Sequence, residues 1–165
     1  MKWIKHYDPS ELLATIVGIF GGLGTVSFVT YVLGYPLLIA SLGASSVLLY
    51  GVPSSQYAQP KNLFGGHLIA SVVGVTCYHL MGETWYSITI TVTIAIILMM
   101  LTNTVHPPGG ATALISVLHH ANYIFILTLM GSISILFISA CLASKLCGKR
   151  TYPDKSAAEV FGEGQ

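Results

Sequence analysis

Six apolar stretches separated by short polar breaks make up most of the 165-residue chain. Four of them approach the roughly 20 residues that a helix needs to cross the hydrocarbon core of a bilayer. These lie at about 12–33, 63–81, 86–105 and 123–146, whereas two shorter stretches lie at about 37–52 and 108–118. A short apolar stretch suits a re-entrant or broken helix as well as a full span. The pattern predicts an all-α, polytopic membrane helix bundle with four long transmembrane helices and two short broken or re-entrant ones.

The distribution of charge supports a membrane location. Only 8% of the residues are charged, against about a quarter in soluble globular domains. Between Leu12 and Ser144 the only charged side chains are Lys61 and Glu83, so the lipid bilayer is the first predicted partner. The net charge of +1, without a basic patch, excludes a nucleic-acid partner.

The same composition limits the number of domains and the kinds of cofactor and catalysis to be expected. We expect one transmembrane domain over residues 1–150 and a short polar C-terminal tail over residues 151–165. Cys77, Cys141 and Cys147 show neither a CxxC pair nor metal-ligand spacing with histidine, so no metal or organic cofactor is expected. The apolar stretches hold no carboxylate that could act as a general base, so we expect no enzyme.

The order of the stretches, long-short-long followed by long-short-long, indicates a possible internal duplication. Short segments interrupted by glycine or proline, in corresponding halves, are the best sequence indication of a transport site. The basic residues are concentrated at the two ends, which predicts cytoplasmic termini, here in a bacterial inner (plasma) membrane. Six crossings, or four crossings with two re-entrant hairpins, both satisfy this orientation. Glycine-rich helix faces also allow a homo-oligomer.

The most specific motif is a helix break followed by a restart among small residues. It reads His106-Pro107-Pro108-Gly109-Gly110-Ala111-Thr112. A helix that begins inside the membrane presents free N–H groups and a partial positive charge, and an anion is their natural ligand. We expect Thr112 to add a hydroxyl donor and His106 a proton. A locally capped structural turn is the alternative.

Three further features could contribute to the same site. Gly43-Ala44-Ser45-Ser46 offers hydroxyl groups, or alternatively a packing seam of small residues. Lys61 is the only internal cation, and it is either a site residue or an interfacial anchor. Asn62 and Asn103 are polar neighbours of these motifs. His67 and His79 are too far off a common helix face to form a good metal pair.

These motifs resemble the HPP family of integral membrane proteins, which is named for its His-Pro-Pro motif. The similarity is carried by residues 42–49, 58–62 with 65–67, and 104–114, and it covers roughly residues 10–150. The resemblance implies four transmembrane helices, with the two short stretches re-entrant or broken. It also implies nitrite or a similar small anion as substrate, because plant and cyanobacterial members are associated with nitrite transport.

Together, these observations predict a transporter or channel for a small monovalent anion, with nitrite as the first candidate. Broken helices at 43–46 and 106–112 would form the site, and His106 would couple passage to protons. Other small solutes (formate, bicarbonate or a neutral acid) remain alternatives. So does a structural or regulatory membrane subunit that transports nothing.

Overall fold

The computed structural model describes residues 8–34, 39–147 and 151–154, and in these ranges it contains six helices and no strand. The helices are α1 Pro9–Tyr31, α2 Ala40–Gly51, α3 Pro60–Met81, α4 Trp85–Leu101, α5 Pro107–Leu118 and α6 Tyr123–Cys147. A short 3₁₀ turn, Gln56–Ala58, lies in the loop between α2 and α3. The prediction of an all-α membrane helix bundle is confirmed.

The helix lengths differ from the prediction at α4. By length and composition, α1, α3 and α6 can each cross a membrane, whereas α4 has 17 residues and ends at Leu101. Asn103 has a φ of 54°, and the N–H of Thr104 donates to the Met99 carbonyl at 2.8 Å. This is a helix C-terminus closed by a left-handed residue, a conformation that asparagine tolerates. The bundle therefore has three long and three shorter apolar helices.

Successive helices run in opposite directions. Gly18 of α1 lies against Ala143 of α6, and Gly22 lies against Ser139, so these two helices are antiparallel. His120, after α5, contacts Glu83, after α3, so α3 and α5 end at the same face of the bundle. The described ends of the chain consequently lie at one face, together with the start of α3. This arrangement suits an even number of crossings.

The residues that follow α6 fold back onto the bundle. Tyr152 is buried, and its hydroxyl donates to the Ala58 carbonyl at 2.7 Å. The N–H of Asp154 donates to Gln59 Oε1 at 3.0 Å. Burial raises the pKa of the Tyr152 hydroxyl, and nearby Cys141 adds to this effect, so the hydroxyl remains a donor. Part of the predicted polar tail, residues 151–154, thus packs against the loop between α2 and α3.

We expect Tyr152→Phe to lower the free energy of unfolding by about 1 kcal/mol, because the buried Ala58 carbonyl loses its donor. Unfolding of the detergent-solubilised protein by heat or by added denaturant measures the change. Tyr31→Phe is the control, since the Tyr31 side chain is 81% exposed. Equal stability of the two variants would contradict the role given to the Tyr152 hydroxyl.

Candidate functional site

A seam of small residues brings α3 and α5 into backbone contact. Gly66, Ala70 and Gly74 follow one another at intervals of four residues along α3, so they share one face of the helix. A Cβ atom on Gly66 would lie 2.5 Å from the His106 Cβ, and one on Gly109 would lie 3.1 Å from the Gly66 carbonyl oxygen. Only glycine leaves room for this approach, which resembles the small-residue packing of transmembrane helices.

His106, the residue before α5, is held in place through its ring and through the backbone that precedes it. A residue before proline avoids the helical region, and His106 is extended, with φ −135° and ψ 104°. Asn62 Nδ2 donates to the carbonyl of Val105 at 2.7 Å. His106 Nδ1 lies 2.7 Å from the Tyr57 carbonyl oxygen. A carbonyl only accepts hydrogen bonds, so Nδ1 carries a hydrogen.

Ser45 bridges two imidazole rings. Its Oγ lies 2.8 Å from His67 Nε2 and 3.0 Å from His106 Nε2. The ring centroids of the two histidines are 4.8 Å apart, with an interplanar angle of 58°. One hydroxyl of α2 therefore connects α3 to the start of α5. We call Ser45, His67 and His106 the histidine bridge.

Two further hydroxyls extend the histidine bridge. His67 Nδ1 lies 2.8 Å from Thr112 Oγ1, and Thr112 donates to Ser41 Oγ at 2.9 Å. Ser41 and Ser45 are four residues apart on α2, so both face α3 and α5. The result is one continuous hydrogen-bonded chain that begins at Ser41, passes through the histidine bridge and ends at the Tyr57 carbonyl.

This polar chain is closed off from the surroundings. The side chains of Ser41, Ser45, His67, His106 and Thr112 are each at most 1% exposed. His67 lies about 10 Å from the start of α3, which is about 33 Å long. The polar chain therefore lies well inside the bundle. Among the described residues, no group of three or more histidine, cysteine, aspartate or glutamate residues is placed to hold a metal ion. The described site is thus a network of imidazoles and hydroxyls.

Comparison with known proteins finds a family that matches most of this chain. Residues 4–153 match the family described as the HPP transmembrane region. The chain belongs to the HPP family. It is similar to two Dictyostelium discoideum transmembrane proteins, at 38% identity over 71% of this chain and 37% over 70%. These alignments cover 44% and 40% of the relatives, so the chain spans less than half of their length. No solved structure matches this chain.

The His-Pro-Pro motif does not present the free N–H groups that were expected at the start of α5. Pro107 and Pro108 occupy the first two helical positions and have no N–H. The N–H of Gly109 donates to the His106 carbonyl at 2.8 Å. The first turn therefore contributes no free donors from these three positions, and the expectation of free N–H groups at this helix start is wrong.

The helix break expected at residues 43–46 is not found there. α2 begins at Ala40, so Gly43, Ala44, Ser45 and Ser46 all lie inside the helix rather than at its start. Ser45 enters the polar chain, whereas Ser46 donates to the Leu42 carbonyl at 2.9 Å. A π-turn, Val47–Gly51, closes α2.

Several predicted site residues lie away from the polar chain. The structure places Gly43, Ala44, Lys61, Asn103 and Pro107 on the surface of the chain, and Gly110 and Ala111 at half-buried positions. Asn103 serves as the helix terminus described above. Pro108 contributes its carbonyl, 3.4 Å from Thr112 Oγ1. Of the predicted set, Ser45, His106 and Thr112 meet in the network, and Asn62 and Gly109 position them.

Sequence reasoning missed His67, Ser41 and the Tyr57 carbonyl. In the sequence, His67 is weighed only against His79 of the same helix, as a poor metal pair, whereas in the structure its ring lies beside that of His106 from another segment. The usable signal was the motif that ends in Gly65-Gly66-His67: a glycine that admits a neighbouring backbone precedes a histidine. The position of a backbone carbonyl such as that of Tyr57 leaves no mark in the sequence.

We expect Gly66→Ala to displace His106 and to destabilise the protein by about 1–3 kcal/mol, the usual effect of overpacking a tight interface. Thermal unfolding in detergent measures this change. Gly131→Ala is the matched control, because a Cβ atom on Gly131 meets no described atom within 4 Å. That variant should be neutral or more stable by up to about 1 kcal/mol. Equal loss in both variants would argue against the tight α3–α5 contact.

Proposed function

We propose that this HPP protein moves a small monovalent anion, nitrite first, across the membrane through the polar chain between α2, α3 and α5. One observation carries the proposal: a continuous set of buried hydroxyls and imidazoles inside an apolar bundle. Polar side chains within a membrane protein are costly, and they commonly mark the path of a solute or a proton.

The chemistry of the polar chain favours an anion over a cation. Its side chains are hydroxyl and imidazole groups, which donate hydrogen bonds, and an imidazole can also take up a proton and become positive. The described residues of α2, α3 and α5 include no aspartate or glutamate. A metal cation or an ammonium ion would find no negative partner in these three helices.

Passage requires a part of the bundle to move, because the polar chain is fully buried. The element best suited to move is α2, which contributes Ser41 and Ser45 and ends in the π-turn Val47–Gly51. Movement of α2 away from α3 and α5 would open the hydroxyls of Ser41 and Ser45 to a solute.

The alternating helix directions support an inverted relation between the two halves of the chain. The first half would comprise α1 to α3 and the second α4 to α6, each with one shorter helix in the middle. Inverted halves of this kind, with a site at their interface, are common among transporters. Ser45 of α2 and His106 at the start of α5 meet at this interface.

Other solutes fit the same chemistry. Formate and bicarbonate are also small monovalent anions, and a neutral acid could use the hydroxyls alone. A structural or regulatory subunit that transports nothing is the competing function of another class, and it would need the polar chain only for packing. The first experiment separates these possibilities.

We expect nitrite uptake into proteoliposomes that contain the purified protein, with formate and nitrate as competitors. Ser45→Ala and His67→Ala should each reduce the rate at least about tenfold, since each breaks the polar chain at a buried hydrogen bond. Ser46→Ala is the matched control, because it removes a neighbouring buried hydroxyl that bonds only the Leu42 carbonyl among the described residues. Its uptake should equal that of the unaltered protein.

The outcomes divide clearly. Formate and bicarbonate are assayed for uptake in parallel, and uptake of either without nitrite would change the proposed substrate but keep the proposed route. Equal loss in Ser45→Ala and Ser46→Ala would remove the polar chain from the transport route. No uptake of any of these solutes, with or without a pH gradient, would favour the structural or regulatory subunit.

Orientation is a separate part of the proposal. The described ends of the chain lie at one face, and Lys61 lies at the same face near the start of α3. The positive-inside rule then places this face in the cytoplasm, in our proposal that of a bacterial inner membrane. A homo-oligomer is compatible with the glycine-rich helix faces.

We expect labels attached to the two termini to be accessible from the cytoplasmic side only. Protease or thiol-reagent treatment of intact cells, compared with inverted membrane vesicles, measures this. A label in the Gly82–Thr84 turn, on the opposite face, is the control and should react from outside. Termini on opposite sides would exclude the alternating arrangement of six segments.

A further inference from the structure

The hydrogen positions in the polar chain can be assigned one after another. His106 Nδ1 donates to the Tyr57 carbonyl, 2.7 Å away, because a carbonyl has no hydrogen to give. Thr112 directs its single hydroxyl hydrogen toward Ser41 Oγ, 2.9 Å away, with the Pro108 carbonyl as a second acceptor at 3.4 Å. The contact of 2.8 Å between Thr112 and His67 Nδ1 then requires the hydrogen on the imidazole. Each ring therefore already uses one N–H outside the histidine bridge.

A neutral imidazole has only one N–H, so both Nε2 atoms would be bare acceptors. The Ser45 hydroxyl lies between them and has a single hydrogen, which can serve the contact of 2.8 Å or that of 3.0 Å. In the other contact, an oxygen lone pair would face a nitrogen lone pair. One additional proton on either Nε2 gives every contact a donor and an acceptor.

We infer that the histidine bridge is a binding site for one exchangeable proton, shared by His67 and His106 through the Ser45 hydroxyl. The proton comes from water and forms an N–H bond on one of the Nε2 atoms. Ser45 accepts from that N–H and donates its own hydrogen to the other ring. Exchange of the two hydrogens moves the positive charge from one imidazole to the other, while Ser45 ends as a hydroxyl again.

Loss of the proton has a defined structural consequence. With both rings neutral, the chain is satisfied when Ser41 donates to Thr112, Thr112 to His67, His67 to Ser45 and Ser45 to His106. The two states thus differ in the direction of the Thr112–Ser41 hydrogen bond, which links α5 to α2. Proton binding is in this way connected to the helix that we propose to move.

The charge also explains how proton and anion would be linked, and this step rests on the proposed function. A charged imidazole without a counter-charge is costly inside a membrane protein, and so is an unpaired anion. A proton on the histidine bridge together with one monovalent anion is neutral as a pair. The inferred transport unit is therefore one proton with one anion.

The other ionisable side chains in the described part of the protein form no hydrogen bond with the histidine bridge. The Tyr50 hydroxyl, on α2, donates to the Leu136 carbonyl of α6. Glu83 pairs with His120 at the far end of α3. No hydrogen bond joins the histidine bridge to the remaining ionisable side chains on the surrounding described elements; these are Tyr57, Lys61, Cys77, Tyr78, His79, Tyr86, His119, Tyr123, Cys141, Lys145 and Tyr152.

The test counts ring N–H groups by NMR of ¹⁵N-histidine-labelled protein in lipid, from about pH 8 down to about pH 3, which extends below the range where histidine ordinarily titrates because a buried positive charge is costly. His67 and His106 are isolated by replacing the chain's other four histidines with glutamine. Spectra are recorded alone and with sodium nitrite, formate or nitrate. We expect two N–H groups on the pair at high pH and three at low pH, with anion favouring the third.

In Ser45→Ala the third ring N–H group should not appear anywhere in this pH range. Ser46→Ala leaves the histidine bridge intact and should behave as the unaltered protein. A third N–H without any response to nitrite, and without nitrite uptake, would support the proton site and reject nitrite. Two N–H groups under every condition would overturn the inference. So would a third N–H that persists in Ser45→Ala, because the proton would then not depend on the bridge.

Discussion

The contact of α3 with α5 at Gly66 and Gly109 is the constraint on which the candidate site depends. It allows the two backbones to approach closely, and the imidazole rings of His67 and His106 then lie side by side. In lipid no hydrophobic force distinguishes one apolar helix face from another, so close packing of small residues decides which faces meet. The same contact that holds the bundle together therefore creates the histidine pair.

Lipid offers no hydrogen-bond partner, so every group in this polar chain must find its partner within the protein. The partners come from segments far apart in sequence: α2, the loop before α3, α3 itself and the start of α5. The Tyr57 carbonyl is a backbone group in a loop, and Tyr152 binds the adjacent Ala58 carbonyl from the other side. The residues after α6 thereby support the loop that selects the tautomer of His106.

Periodicity and charge predicted the membrane bundle and the six helical segments, because a long uncharged run has few alternatives to a helix in lipid. The motifs predicted Ser45, His106 and Thr112 as site residues that the structure brings together. They did not predict His67, since its partnership with His106 depends on how α3 packs. The helix start at Pro107 was recognised, but its donor groups were overestimated because two prolines have none.

The missing N–H donors at the start of α5 affect how an anion would be bound and released. A helix start with several free N–H groups carries a permanent partial positive charge and would attract an anion at all times. In this HPP protein the double proline removes much of that capacity, and Lys61 lies on the surface. Positive charge in the inferred site arrives only with the proton on the histidine bridge. A site of this kind binds its anion when protonated and loses its attraction when the proton leaves, so that release follows from the same equilibrium that permits binding.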